Sequence, residues 1–230
     1  MSAVIQLQHV SKVYSERSAQ AVRALDDIQL SVDSGEFVAL KGSSGSGKTT
    51  LLNIASGLDH PSEGRVILDG EEITGKSVKE LTEFRSRRIG FVFQAYNLFK
   101  DLTVIENVEF TSVLRGDDPT EARARAERAL NDVGLGSKLH HFPKLLSGGQ
   151  QQRVAVARAI AMNPAMIFAD EPTANLDSKT ADELIQLFEE MNRKTGITFL
   201  FSTHDPQLLG RVRRIVEIRD GKILRDGPAV

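Results

Sequence analysis

The sequence predicts an α/β fold on a mainly parallel sheet, and three observations predict it. Short apolar runs of strand length alternate with helical patterns along the last third of the chain, the rhythm of parallel strands joined by crossover helices. A glycine-rich loop stands between one such run, Phe37 to Leu40, and a helix. The stretch from about Tyr96 to Arg158 breaks the rhythm and reads as an all-helical insertion.

The elements follow in order. Val4 to Val10 and Ile28 to Val32 alternate loosely and read as strands. Asp33-Ser34-Gly35 is a turn before Phe37 to Leu40. That run is continuously apolar, as a strand buried on both faces should be. A helix follows from Lys48 to Ser56, closed by Gly57; Arg65 to Leu68 is a short strand stopped by Asp69-Gly70; Ile89 to Phe93 is another strand. Asp118-Pro119-Thr120-Glu121 starts a helix with an acid at the cap and proline at its first position. Ala122, Ala126, Ala129, Leu130 and Val133 give that helix an apolar stripe, ended by Gly134. A further helix runs from near Ser147 to about Met162. Ala165 to Ala169, the amphipathic helix Lys179 to Arg193, and Ile197 to Ser202 then alternate, and Val216 to Leu224 turns as a hairpin at Asp220-Gly221.

Composition narrows the class. The chain has 230 residues, 40% hydrophobic and 26% charged, with 29 Lys plus Arg against 31 Asp plus Glu. It can bury a core of its own, and the net charge of -2 argues against a nucleic-acid binder, which would carry a basic excess. With no cysteine, a disulfide scaffold, a Cys-ligated zinc site and a thiol nucleophile are excluded. Met1 to Val10 lacks the pattern of a secretory leader, and no apolar run reaches the roughly 18–20 residues of a spanning helix. A soluble, cytoplasmic protein is the expectation.

Gly42-Ser43-Ser44-Gly45-Ser46-Gly47-Lys48-Thr49 matches G-x-x-x-x-G-K-[ST]. Glycines let successive backbone N–H groups turn toward phosphate oxygens, and the following helix adds the positive end of its dipole. In this motif Lys48 reaches the β- and γ-phosphates and the Thr49 hydroxyl can ligate Mg²⁺. A chance match in a chain this long has odds on the order of 1%, so a plain surface loop is the weaker reading. Asp170-Glu171 ends an apolar strand. Ligands of parallel sheets sit beyond that strand end, which would set Asp170 near the Mg²⁺ and let Glu171 hold the attacking water.

Leu146-Ser147-Gly148-Gly149-Gln150 opens a helix whose N–H groups can take an anion. This pentapeptide, about a hundred residues after the phosphate loop and just before the acidic strand end, resembles the signature of the ATP-binding-cassette (ABC) ATPases over essentially the whole chain. The resemblance implies one ABC ATPase domain over residues 1–230. Residues 1–95 and 159–230 would form a P-loop NTPase core with an N-terminal antiparallel β subdomain, and 96–158 the helical insertion carrying the signature.

The resemblance also implies ATP and Mg²⁺ as ligands and a head-to-tail dimer of two copies. Ser147, Gly148, Gly149 and Gln150 of one copy would meet the ATP held by Gly42 to Gly47, Lys48, Thr49 and Thr50 of the other. It makes Gln94 a contact of Mg²⁺ and the attacking water, His204 the histidine that touches the γ-phosphate, and Tyr14 the aromatic stacked on adenine. Asn175-Leu176-Asp177 matches the loop that couples the two sites. Tyr96, Leu98 and Phe99 match the stretch lining a groove for a membrane permease, which puts the protein at the inner face of the cell membrane.

Within the family, Gly57-Leu58-Asp59 and Phe91-Val92-Phe93-Gln94 are most similar to the lipoprotein-releasing and macrolide-exporter ATPases. Ala174 departs from the glycine expected there. An ATPase of a polar amino-acid importer and a soluble ABC ATPase without membrane partner are the alternatives.

Overall fold

The chain opens with two twelve-residue strands paired antiparallel, β1 (Ala3–Tyr14) and β2 (Val22–Asp33). Next come β3 (Phe37–Lys41), α1 (Lys48–Ala55), β4 (Glu63–Leu68), β5 (Glu71–Glu72), α2 (Val78–Arg88) and β6 (Ile89–Phe93). The helical stretch holds α3 (Val104–Arg115), α4 (Pro119–Asp132) and α5 (Gly148–Ile160). The last third is β7 (Met166–Asp170), α6 (Ser178–Thr195), β8 (Thr198–Thr203), α7 (Pro206–Leu209), β9 (Arg214–Arg219) and β10 (Lys222–Pro228). This computed structural model describes residues 2–14 and 21–229; Met1, residues 15–20 and Val230, which fall within the expected domain, lie outside the described residues.

Two sheets result. An antiparallel sheet has the order β2-β1-β4-β5, and a six-stranded sheet the order β10-β9-β3-β8-β7-β6. In the latter every neighbouring pair is parallel except β9 with β10. The central strands explain why apolar residues run without alternation there. Phe37, Ala39, Ile167, Ala169, Phe199 and Phe201 bury one face against α5, α6 and the helical stretch. Val38, Leu40, Met166, Phe168 and Leu200 bury the other against α1, α2 and the antiparallel sheet. On α6 the stripe Ala181, Leu184, Ile185, Phe188 and Met191 is buried, and the Phe188 ring lies 5.5 Å from both Phe199 and Phe201. Burying a side chain of that size contributes about 2–3 kcal/mol.

The predicted elements are present with small shifts of their ends, and β1 and β2 extend further than their apolar runs. Four elements go beyond the sequence reading, and α3 is one of them, a twelve-residue helix that it does not single out inside the expected helical stretch. β5 and α7 have two and four residues. In α2 only Leu81 and Phe84 are buried, so it lacks an apolar stripe, and its capping box between Ser77 and Glu80 was the legible signal.

Candidate functional site

Four parallel strands end at one edge of the sheet, so the loops that leave them meet there. β3 leads into Gly42–Thr49, β6 into Gln94, β7 into Glu171, and β8 into His204. A cavity of about 800 Å³ lies over this edge, walled by the Gly42–Thr50 loop, Gln94, Glu171, Ala174 and His204, with Val22–Ala24 and Asp220-Gly221 on the far side.

The loop's geometry depends on Gly47, which caps α1 with φ 104°. A Cβ there would come 2.8 Å from the Ala24 carbonyl oxygen, so only glycine lets the loop close on β2. No side chain caps α1, which leaves its first N–H groups for an anion. Lys48 is nearly buried and its Nζ donates to the carbonyls of Gly42 (2.9 Å) and Ser43 (3.0 Å). Ser46 Oγ is buried and has no partner among the described residues. Thr49 Oγ1 donates to Asp170 Oδ1 at 3.4 Å, and the Ser202 hydroxyl donates to the same oxygen.

Glu171 has φ 45°, a left-handed conformation that costs a non-glycine residue roughly 1–2 kcal/mol. Its N–H donates to the Ser202 carbonyl at 2.9 Å, and its Oε1 is in hydrogen-bond contact with His204 Nδ1 at 2.9 Å. Two cross-ties were invisible in the sequence. Asn175 Nδ2 donates to the Gln94 carbonyl (2.8 Å), and Thr173 Oγ1 donates to Asp205 Oδ2 (2.6 Å). They fasten the loop after β7 to those after β6 and β8.

Tyr14 stands beside the cavity, cross-strand from Val22, and is 42% exposed. Its hydroxyl donates to Asp59 (2.8 Å), and Lys12 Nζ lies 4.8 Å above its ring. Partial burial, with Asp59 beside it, holds the phenol above its ordinary pKa.

Ser147 to Gln150 do not line the cavity. Ser147 caps α5 by accepting from the Gln150 N–H (3.3 Å), and the Gln150 side chain accepts from the Ser147 N–H (3.1 Å). A Cβ on Gly149 would lie 2.2 Å from Thr180 Cγ2, so glycine is needed for the close approach of α6.

A second hollow, of about 360 Å³, opens between β6, α2, α3 and α5. Phe99, 45% exposed, lines it with Asn97, Phe91, Phe93 and Phe110. Leu98 packs instead against the core, and the Tyr96 hydroxyl lies over Gly148. Buried Asn107 fixes Phe99 from both sides, accepting from its N–H (2.7 Å) and donating to its carbonyl (3.0 Å). A polar residue on a buried helix face was the sequence signal for Asn107.

The family model described as "ABC transporter" matches residues 25–174. The chain belongs to the ABC transporter family. A second model, described as an AAA domain and putative AbiEii toxin of a type IV TA system, matches residues 142–210 only. The lipoprotein-releasing system ATP-binding protein LolD of Bordetella pertussis is 43% identical over 222 residues, 96% of each chain. The macrolide export ATP-binding/permease protein MacB of a Shewanella species is 46% identical over 96% of this chain, which spans 34% of that protein. Among solved structures, the dimeric post-hydrolysis state of an ATP-binding cassette bound to ADP and Pi superposes with a TM-score of 0.90. It is 40% identical over 98% of this chain and 99% of that one. As an ABC cassette the chain is an ATPase. No helix among its described residues is long and apolar enough to cross a membrane.

Proposed function

We propose that this cassette hydrolyses ATP in the cavity at the sheet edge and drives a separate membrane permease of the lipoprotein-release or macrolide-export type. The observation that carries the reading is the convergence of the Gly42–Thr50 loop, Gln94, Glu171 and His204 on one cavity of about 800 Å³.

In this reading the loop N–H groups and the α1 N-terminus bind the phosphates. Lys48 exchanges its two carbonyl acceptors for β- and γ-phosphate oxygens. Tyr14, with Val22, borders the adenine. The metal position fits Mg²⁺: Thr49, Asp170 and the Gln94 amide offer a hydroxyl, a carboxylate and an amide oxygen, the donors of a hard cation. Among the described residues no cluster of three His, Cys, Asp or Glu could hold a metal alone, which suits an ion that shares its ligands with substrate phosphates. When bound, Mg²⁺ offsets charge on the phosphates. Glu171 orients the water and takes up its proton, while His204 holds the Glu171 carboxylate in place and reaches toward the γ-phosphate.

Positioning and charge neutralisation supply most of the rate in such transfers, and the signature at Ser147–Gln150, off the cavity of its own chain, supplies its share to a second copy. ATP thus holds a head-to-tail dimer, and loss of the γ-phosphate lets it open. The helical insertion over 96–158 carries the signature and forms one wall of the groove that receives the permease, with α2 and β6 forming the other, so the protein works at the inner face of the membrane. The test is phosphate release from ATP by the purified chain, with and without Mg²⁺. Activity that survives Lys48→Ala would overturn the assignment of this cavity.

A further inference from the structure

We propose that the groove beside Phe99 recognises a carboxylate borne on an apolar helix of the membrane partner, and that Arg85 and Arg158 receive it. This rests on the reading that the permease docks in that groove.

The groove's lining is aromatic and aliphatic, with Leu58 and Phe99 43% and 45% exposed. Arg85 and Arg158 are its charged residues, and among the described residues no Asp or Glu lines it. Arginines nearby have carboxylate partners: Arg87 pairs with Glu83 (2.7 Å), Arg88 with Asp69 (3.1 Å) and Arg115 with Asp117 (3.2 Å). Arg85 and Arg158 have none among the described residues. Arg85 donates to the Gly57 carbonyl (2.6 Å) and Thr82 Oγ1 (3.0 Å). Arg158 donates to the carbonyls of Asn97 (2.6 Å) and Tyr96 (2.9 Å). Each engages two of its five N–H groups, and only with neutral acceptors. Burial pulls both guanidiniums below their ordinary pKa, so both charges are partly stripped of water with hydrogen bonds but no counter-charge among the described residues to offset the loss. A carboxylate on an apolar helix would supply the missing charge and bury the aromatic lining in one event.

Arg158 also gives the contact a route to hydrolysis. Tyr96 and Asn97, whose carbonyls it holds, have φ of 59° and 51°, and their loop begins at Gln94. Arg158 stands on α5, the helix that the signature opens. A carboxylate arriving there draws on the guanidinium that tethers the Gln94 loop to the signature helix.

The experiment uses the cassette with its co-purified permease in nanodiscs. Dissociation constant, stimulated turnover, basal turnover and Tm are measured on the same variants. Phe99→Glu is expected to abolish binding. Arg85→Glu is expected to weaken it at least about tenfold with basal turnover and Tm kept, and wild-type affinity should fall as salt rises. Changing one acid of the permease's docking helix to Arg should restore binding to Arg85→Glu. If Phe99→Glu abolishes binding while Arg85→Gln and Arg85→Glu leave affinity and its salt dependence unchanged, the carboxylate inference falls and the groove stands. If Phe99→Glu binds normally, or instead dissolves the ATP-bound dimer of the cassette, the groove reading falls with it. Should Arg85→Glu lower Tm, the permease's acids are replaced by Gln one at a time on the wild-type cassette, and an unchanged affinity throughout overturns the inference.

Discussion

The cavity at the sheet edge and the start of α5 are built on opposite plans. The cavity is cross-tied between elements: Thr49 and Ser202 meet on Asp170, Glu171 on His204, Asn175 on Gln94, and Thr173 on Asp205. The α5 start is closed on itself, with Ser147 and Gln150 satisfying one another within a single turn. Cross-ties couple four loops, so a change at one is felt at the rest. A self-contained cap can be carried as a rigid unit against a separate surface. On the proposed function, the contrast is between the reacting groups this chain holds for one ATP and a finished piece, off its own cavity, presented to the ATP of a second copy.

The largest effect should come from the cross-tied side. Glu171→Gln keeps the shape of the side chain and removes the carboxylate. Turnover should fall at least about a hundredfold with ATP binding kept, and an ATP-bound dimer should accumulate on size-exclusion chromatography. Near-normal turnover would move the catalytic base to another residue.

Mixing inactive variants sharpens the comparison next. Ser147→Arg and Lys48→Ala homodimers each lack both sites, but a mixed dimer keeps one whole site. Turnover absent from each preparation should return on mixing, and activity in Ser147→Arg alone would mean that the signature serves no ATP.

A third test asks how firmly the outward-facing groove is preformed. Asn107 is fully buried, and besides its two bonds to Phe99 it donates to the carbonyls of Leu102 (3.0 Å) and Thr103 (2.9 Å). Asn107→Ala strands the Phe99 N–H and the Leu102 carbonyl, while the Phe99 and Thr103 carbonyls keep backbone donors; it should cost about 2–3 kcal/mol in urea unfolding, with loss of permease binding at temperatures where the fold survives. An unchanged unfolding midpoint would deny Asn107 that role.

The smallest and finest test separates two neighbours. Leu98→Glu sets a charge against the core and should lower stability by about 1–3 kcal/mol. Phe99→Glu should stay within about 1 kcal/mol of the parent and still lose the permease. Equal losses of Tm would make both residues core.

Much of this was legible beforehand because it is local. Gly42 to Thr49 specifies its loop through glycine at fixed spacing, Asp118 and Ser147 specify helix starts through their own side chains, and continuous apolar runs marked the central strands. The helix α2 was missed because its contribution to the core is only Leu81 and Phe84, too few to give a periodic stripe. In the site, residue types at motif positions pointed to Lys48, Glu171, Gln94 and His204 one at a time. Their contacts were not legible, since Asn175 meets the Gln94 carbonyl across 81 positions of chain and Thr173 meets Asp205 across 32.

The sequence by itself therefore determined most of the elements, the phosphate loop and the family, because these depend on residue types at short, fixed intervals. Only the tertiary structure decided that Phe99 faces a groove while Leu98 faces the core, and that Gly149 must be bare to admit Thr180. It also decided that Arg85 and Arg158 share a groove without an acid. Each of these is a meeting of segments far apart in the chain, and packing in three dimensions, which no local pattern encodes, sets which side chains meet.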